Sequence, residues 1–359
     1  MLFSVLQYYI FNKLQGDIMK KRDNSIDILR GIAVFAIIII HTTFWSGESY
    51  VPDFVRSLSL LIDVPLFIFI SGMTFNFNNS VTKTVKGLIN IWKKYLIFLI
   101  PFFIYQLIID KSLITMENLL ASLFFILPVN SALFVVPGSF WFVFMYVIVS
   151  MLCSIIITIY NKHNKNLDNF IYIIILSFIL YGISLFRNNF IFLNSNTLLY
   201  TFIFLLGYYL YNKKIKNFKS FLVVLIPTII ITIAVIKFGW YGIDNIQGAK
   251  NVSSITYFCF SMISIIVAAY LKDRIKFSIK PLEFIGQNAI IYYFAQGVGS
   301  SLIYKFLPYI NLNWVFKLPI MIIINIILTL MFGYILYKFT NLCLSIIDKI
   351  KINNILEDK

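Results

Sequence analysis

Long apolar runs separated by short polar segments dominate the pattern along the chain. Ten of these runs are at least about 17 residues long, the length that an α-helix needs to cross the hydrocarbon core of a bilayer. They lie near residues 26–45, 57–77, 93–110, 139–160, 169–186, 195–211, 220–238, 253–271, 283–305 and 314–341. The pattern predicts an all-α, polytopic integral membrane protein with about ten transmembrane helices.

A further apolar stretch, residues 117–136, is the candidate for an eleventh span. Pro128 and Asn130 interrupt it and Pro137 follows it. Because proline removes a backbone donor and breaks a helix, we expect this stretch to be re-entrant or interfacial.

The distribution of Lys and Arg favours ten spans over eleven. Short cytoplasmic loops retain these residues, whereas translocated loops lose them. With ten spans and a cytoplasmic N-terminus, the lysine-rich loops 161–168, 212–219 and 272–281 all fall on one side, and the poorer loop 239–252 falls on the other. An eleventh span would reverse every later loop. We therefore expect both termini to be cytoplasmic.

The organisation predicted from this topology is one membrane domain, residues 25–345, between a short N-terminal segment, 1–24, and a cytoplasmic tail, 346–359. The first eighteen residues are too short to span and lack a small-residue cleavage site. Either they form an interfacial helix or translation starts at Met19, and the sequence leaves both open.

Composition agrees with a bilayer environment. Of the 359 residues, 60% are hydrophobic and 13% are charged, which leaves too few charges to cover a soluble globule. The net charge of +15 comes from cations placed between apolar runs, an arrangement that indicates membrane topology and contact with anionic lipids instead of nucleic acid. The three cysteines lie far apart in apolar runs, without disulfide or metal-ligand spacing.

The first span carries three ionisable residues, Asp27, Arg30 and His41. Such groups are costly within hydrocarbon, so each is a functional candidate. Eleven residues are about three helical turns, so Arg30 and His41 share a face, about 16 Å apart along the axis. Asp27 lies on the same stripe and can pair with Arg30. The structural alternatives are an ion pair that sets topology and a histidine bonded across helices.

His41 is the better placed of two histidines to act chemically. His163 lies in the polar loop NKHNKN, whereas His41 lies inside a span, where its near-neutral titration suits a general base. Asp63 enters the second span at a similar depth. It either orients the imidazole or caps its own helix, and both readings stay open.

Four segments resemble the acyltransferase 3 family of membrane O-acyltransferases. These are IDILRGIAVFAIIIIH, the run VPLFIFISGM, GSFWFVFMYV and LEFIGQNAIIYYFAQ. The resemblance covers residues 24 to 340. It implies ten helices, a cytoplasmic acyl-coenzyme A donor such as acetyl-CoA, and an acceptor hydroxyl on an envelope glycan or a lipid-linked sugar.

The family's essential arginine and histidine correspond to Arg30 and His41, and its neighbouring acid corresponds to Asp27. This chain departs from the family pattern at two places. Lys93 and Lys94 stand near the position where many relatives have arginines, and Gln296 stands where many relatives have a histidine. The polyanionic donor is then expected on a basic rim, and the acceptor on polar and aromatic side chains of the fourth and ninth spans. The rim consists of Arg30, Lys86, Lys93 and Lys94; the acceptor residues are Trp141, Asn288, Tyr292 and Gln296.

Two other functions fit the same pattern. A transporter, flippase or polymerase of envelope glycans shares the composition and the intramembrane charges, although such proteins usually spread polar groups over several central spans. A non-catalytic partner would retain the fold without the chemistry. We expect a multi-pass protein of a bacterial cell membrane that transfers an acyl group, with acetyl as the expected group.

The topology can be tested by cysteine accessibility. Cysteines introduced singly at Lys214 and Gly248 are expected to lie on opposite sides, so only the Gly248 position should react with an impermeant maleimide added outside. Labelling of both positions from outside would contradict the ten-span arrangement.

Overall fold

The computed structural model describes residues 23–78, 80–128, 130–163, 166–186, 194–213, 215 and 217–357. All regular secondary structure in this described part is helical, and it contains no β-strand. Its helices are α1 Asn24–His41, α2 Asp53–Ser59, α3 Val64–Asn78, α4 Val81–Ile109, α5 Met116–Ser122, α6 Val135–Ser139, α7 Trp141–His163, α8 Ile171–Ser184, α9 Ser195–Tyr211, α10 Phe218–Phe238, α11 Ile246–Asn251, α12 Ile255–Leu271, α13 Lys280–Gln287, α14 Ala289–Ile303 and α15 Trp314–Glu357.

Seven helical segments within the described residues are long and apolar enough to cross a membrane. They are Asn24–Ser46, Asp53–Phe75, Val81–Ile109, Val135–His163, Leu167–Ser184, Phe218–Phe238 and Trp314–Ile350. An eighth arises if the bent pair Ile243–Asn251 and Ile255–Leu271 counts as one span. The predicted all-α, polytopic membrane fold is confirmed. The count of ten transmembrane helices and the cytoplasmic location of both termini stay predictions.

Two of the ten predicted spans take a shorter or broken form. The span at 195–211 is α9, which has 17 residues. The span at 283–305 is divided into α13 and α14 at Asn288, whose side-chain Nδ2 donates to the carbonyl oxygen of Phe284. Short or broken helices are tolerated where protein, not lipid, surrounds them.

The stretch at 117–136 is not one helix. The short helices α5 and α6 lie at its ends, with turns and irregular chain between them in the residues that are described. At the other end of the chain, α15 runs without a break through the predicted boundary at residue 345. The predictions for the first 22 residues, for Lys214 and for parts of the loops 161–168 and 212–219 lie outside the described residues.

The buried centre of the bundle is built on α1, α3, α9 and α14. Eleven of the 17 residues of α9 are buried, and α1 is buried over most of its length. By contrast, α10 presents apolar side chains outwards, and only 11% of its membrane window is buried. Helices that are apolar all round belong in lipid or in a core, and both kinds occur here. Charged residues on α1 therefore face protein.

A reciprocal glycine contact brings α3 and α9 together. A Cβ atom added to Gly72 would lie 2.0 Å from the carbonyl oxygen of Phe204, and one added to Gly207 would lie 2.1 Å from that of Phe69. Small residues let membrane helices approach closely, since the apolar lipid provides little hydrophobic drive for association. The close approach of α3 and α9 depends on both glycines.

This contact predicts a stability difference between two glycine substitutions. Gly207→Ala should destabilise the folded protein by about 1–3 kcal/mol, because the backbones must separate to admit the methyl group. Gly182→Ala is the matched control, since a Cβ at Gly182 meets no atom within 4 Å. Thermal unfolding in detergent checks both, and equal melting temperatures would contradict the helix contact.

Candidate active site

Two polar sites lie at opposite ends of α1, and the first surrounds Arg30. Arg30 Nη2 donates a 3.0 Å hydrogen bond to Thr74 Oγ1 on α3. Asp27, which is buried, accepts a 3.2 Å hydrogen bond at Oδ2 from Gln287 Nε2 on α13. These contacts hold the charged stripe of α1 between two neighbouring helices. The predicted pairing of Asp27 with Arg30 stays a prediction.

Arg30 opens into a cavity of about 180 Å³. Ser71, Tyr146, Gln287 and Tyr293 supply most of its polar lining, beside aromatic and aliphatic side chains. A second cavity of about 120 Å³ shares Ser71, Ile91 and Tyr146 with it and is lined by Lys83 and Thr84. Together the two cavities form a polar recess at the end of the bundle where α1 begins.

His41, at the other end of α1, precedes a π-helical turn at Thr42–Ser46. A buried polar network holds this turn. Asn325 Nδ2 donates to Thr42 Oγ1 at 2.8 Å and to Ser300 Oγ at 3.0 Å, which joins α1 to α14 and α15. Because single π-helical turns often occur at functional sites and here the turn is anchored by three buried side chains, the backbone after His41 is well defined.

Several buried polar atoms at and around His41 make no hydrogen bond within the described residues. His41 Nδ1 is buried and has no hydrogen-bond partner among the described residues. Asp63 Oδ1 is likewise buried without a partner, and Gln296, whose residue is 0% exposed, lies beside the imidazole with neither polar atom in a hydrogen bond of good geometry. Buried polar groups are nearly always satisfied, so this concentration of unpaired donors and acceptors indicates a site that receives a polar ligand.

Asp63 is engaged by residues of the later part of the chain. Its Oδ2 atom binds Lys250 Nζ of α11 at 2.7 Å and accepts a 2.7 Å hydrogen bond from the Tyr257 hydroxyl of α12. His41 lies within electrostatic range of Asp63 and Lys250 and beside Gln296. The partners of Asp63 in the described structure are Lys250 and Tyr257, so its predicted role in orienting His41 stays a prediction.

The predicted acceptor residues occupy different positions. Trp141, at the start of α7, is 42% exposed, and its ring centroid lies 5.5 Å from Lys250 Nζ. Tyr292 is buried against Val34 and Ile38, on the side of α14 that packs on α1 and α15. Asn288 caps the break between α13 and α14. The structure thus brings Trp141 and Gln296 to the His41 end and leaves Tyr292 and Asn288 in structural contacts.

The predicted donor lysines lie along α4. Lys86 is exposed, and Lys93 and Lys94 are half-buried. Lys83, which is not among the predicted donor residues, lines the recess beside Arg30. The positions on α4 that face the recess, from Lys83 through Gly87 to Ile91, recur at helical spacing, and that periodicity is the signal that identifies Lys83.

Sequence reasoning also missed Tyr293, Lys250 and Tyr257. Tyr293 lines the Arg30 cavity, lies within electrostatic range of Asp63, and donates a 2.6 Å hydrogen bond to the carbonyl oxygen of Ser139. It is therefore part of the recess beside Arg30, with its hydroxyl held by α6. Lys250 and Tyr257 lie almost two hundred positions after Asp63, so local patterns carry no sign of their contact with it.

The geometry agrees with the comparison to known proteins. The acyltransferase 3 family model, described as an acyltransferase domain, matches residues 23–338. Because this match covers most of the 359 residues, the chain belongs to the acyltransferase 3 family and is a multi-pass membrane acyltransferase. No curated protein and no solved structure matches the chain.

The contact between Arg30 and Thr74 predicts a binding defect in Thr74→Val. This substitution keeps the side-chain shape and removes the hydroxyl that holds the guanidinium, a bond to a charged group contributing about 1.5–3 kcal/mol. We expect KM for the acyl donor to rise about tenfold with kcat changed less. Thr228→Val is the control, because the Thr228 hydroxyl bonds the carbonyl oxygen of Val224 in its own outward-facing helix. Equal KM values for the two variants would contradict a role of Thr74 at the donor site.

Proposed function

We propose that this acyltransferase transfers an acyl group, most simply acetyl, from acyl-coenzyme A to a hydroxyl of an envelope or extracellular polysaccharide or of its lipid-linked precursor. The observation that carries this proposal is the pair of polar sites at the two ends of α1. One is a recess with cationic groups, and the other is a buried histidine among unpaired polar atoms. A reaction between a charged donor and a polar acceptor from opposite sides of a membrane needs both.

Arg30 and Lys83 are suited to the phosphates of the donor. Coenzyme A is polyanionic and cannot enter hydrocarbon, so its phosphates must be held at the rim, and a guanidinium binds phosphate through a planar fork. Lys86, Lys93 and Lys94 extend the basic rim along α4. The narrower pantetheine arm would then enter the cavity beside Ser71 and Tyr293 and carry the thioester towards His41. We place this donor end in the cytoplasm, as the lysine distribution predicts.

His41 is suited to act on the acceptor hydroxyl. As general base, its neutral imidazole removes the hydroxyl proton while the oxygen attacks the thioester carbonyl carbon. The carbon–sulfur bond then breaks, and the thiolate of coenzyme A takes the proton from the imidazole. The products are an ester and the free thiol. The same histidine as an acyl relay would instead carry the acyl group on nitrogen between donor and acceptor.

Trp141 and Gln296 are suited to hold a sugar at this end. An exposed tryptophan face packs against the apolar face of a sugar ring, and an amide donates and accepts hydrogen bonds with hydroxyl groups. Because Gln296 does not titrate, its role is limited to orienting the acceptor. The proposed location is the cytoplasmic membrane of a bacterium, where such acceptors pass during envelope assembly.

The proposal predicts that His41→Ala and Arg30→Lys lose acyl transfer in different ways. His41→Ala should lower the rate of acyl transfer to the surface glycan by roughly 10²- to 10⁴-fold, since a positioned general base contributes that much.

Arg30→Lys keeps the charge but loses the planar fork, so it should raise KM for the donor. Quantifying base-labile acetate on purified glycan checks the first, and donor kinetics check the second.

His163→Ala is the matched control, because His163 is exposed at the end of α7. Full acylation in His41→Ala at wild-type protein level would overturn the catalytic assignment. A change in the amount or chain length of exported glycan, with its acyl content unchanged, would instead indicate a transporter.

A further inference from the structure

Lys250 reaches the His41 end of the site from the short helix α11, whose Ile246 and Ala249 are packed into the hydrophobic core. The helix α11 is joined to α12 through a bend of 102°. At this bend Ser253 has a φ of 47°, in the left-handed region that a non-glycine residue rarely adopts. Such strain persists only where the surroundings impose it, and it concentrates at functional sites.

Three hydrogen bonds from neighbouring helices hold this bend. The Tyr181 hydroxyl donates to the carbonyl oxygen of Ser253 at 2.7 Å, and Ser195 Oγ donates to that of Val252 at 3.1 Å. The Ser253 hydroxyl bonds the Asn196 side chain. The backbone that carries Lys250 is thus fixed by α8 and α9, which restricts the position of the Lys250 side chain.

Lys250 binds a single oxygen of Asp63. Lys250 Nζ and the Tyr257 hydroxyl both bind Oδ2, each at 2.7 Å, while Oδ1 is buried without a partner. The side chains of Lys250 and Asp63 are only 11% and 1% exposed. A buried ion pair contributes little net stability, because desolvation of both charges offsets their attraction. Stability alone therefore does not explain why this pair lies beside His41.

The unpaired oxygen of Asp63 complements the unpaired nitrogen of His41. When His41 takes the acceptor proton on Nε2, the imidazolium needs an acceptor for its Nδ1–H group, and Asp63 is the carboxylate within electrostatic range of it. Two donors on Oδ2 fix the carboxylate and leave Oδ1 for this bond. Lys250 also balances the charge of Asp63, so a neutral cluster becomes singly positive during the transfer.

We propose that Lys250 and Tyr257 are positioning residues for acyl transfer, which hold Asp63 by Oδ2 so that Oδ1 receives the Nδ1–H group of His41. This inference rests on the proposed function and adds the residues that orient its base. It assigns a role in the reaction to the short helix α11 and to the first turn of α12.

The test is steady-state kinetics of purified protein in proteoliposomes. The donor is acetyl-CoA, and the acceptor is surface glycan purified from a strain that carries His41→Ala. Lys250→Met should lower kcat per folded protein by roughly 10²-fold, within the range that a positioned base contributes, with KM for acetyl-CoA within about twofold of wild type. Lys250→Arg should recover most of kcat, because it restores a cation to Asp63. Lys237→Met, which removes an exposed lysine at the end of α10, should match wild type.

Two further measurements separate positioning from a purely structural role. Asp63→Asn combined with Lys250→Met should be no slower than Asp63→Asn alone, because residues that act as one unit are not additive. Tyr257→Phe removes only the hydroxyl and should lower kcat several-fold, which keeps the proposal testable if Lys250→Met does not fold. A structural role would instead reduce the folded fraction and leave kcat per folded protein unchanged.

Wild-type kcat in Lys250→Met or in Tyr257→Phe, alongside loss of transfer in His41→Ala, would overturn this inference and leave the proposed function standing. Multiplicative losses in the double variant would also overturn it. Absence of transfer by the wild-type protein from any acyl-CoA tried would overturn the proposed function and this inference together.

Discussion

The constraint on which the structure depends is that polar groups inside hydrocarbon must find partners in the protein. The charged side chains of α1 face neighbouring helices, and each forms a hydrogen bond with one of them. Arg30 bonds Thr74 of α3, Asp27 bonds Gln287 of α13, and Thr42, in the turn after His41, bonds Asn325 of α15. Because unsatisfied groups are so costly away from water, these contacts order helices that the hydrophobic effect alone would leave free to slide in lipid.

The same constraint makes the exceptions informative. In a bundle where most buried polar atoms are paired, the unpaired atoms of His41, Asp63 and Gln296 lie close together. A void among apolar side chains would stay dry and inert, whereas a group of unsatisfied donors and acceptors attracts a polar ligand. The chain belongs to the acyltransferase 3 family, and the proposed acyl transfer to a hydroxyl would use a base and an oriented acceptor at such a cluster.

The architecture also keeps the two polar sites apart. The recess beside Arg30, which Tyr293 lines, and the cluster beside His41 lie at opposite ends of one helix. In the proposed reaction this separation would let the charged donor and the glycan acceptor enter at different ends of α1. Excluding water and lipid strengthens the electrostatic interactions inside the site, among which the Lys250–Asp63 pair is the most buried.

The sequence alone determined the membrane class, the helical fold and the two ends of the polar stripe. These follow from local regularities: runs long enough to cross hydrocarbon, and the spacing that places Arg30 and His41 on one face. The tertiary structure decided which residues meet that stripe. Lys250 and Tyr257 reach Asp63 from almost two hundred positions away, Tyr292 turns to packing contacts while Tyr293 faces the site, and Asn288 breaks a helix. Helical periodicity shows which side chains share a face, but only the packing of distant helices determines what that face meets.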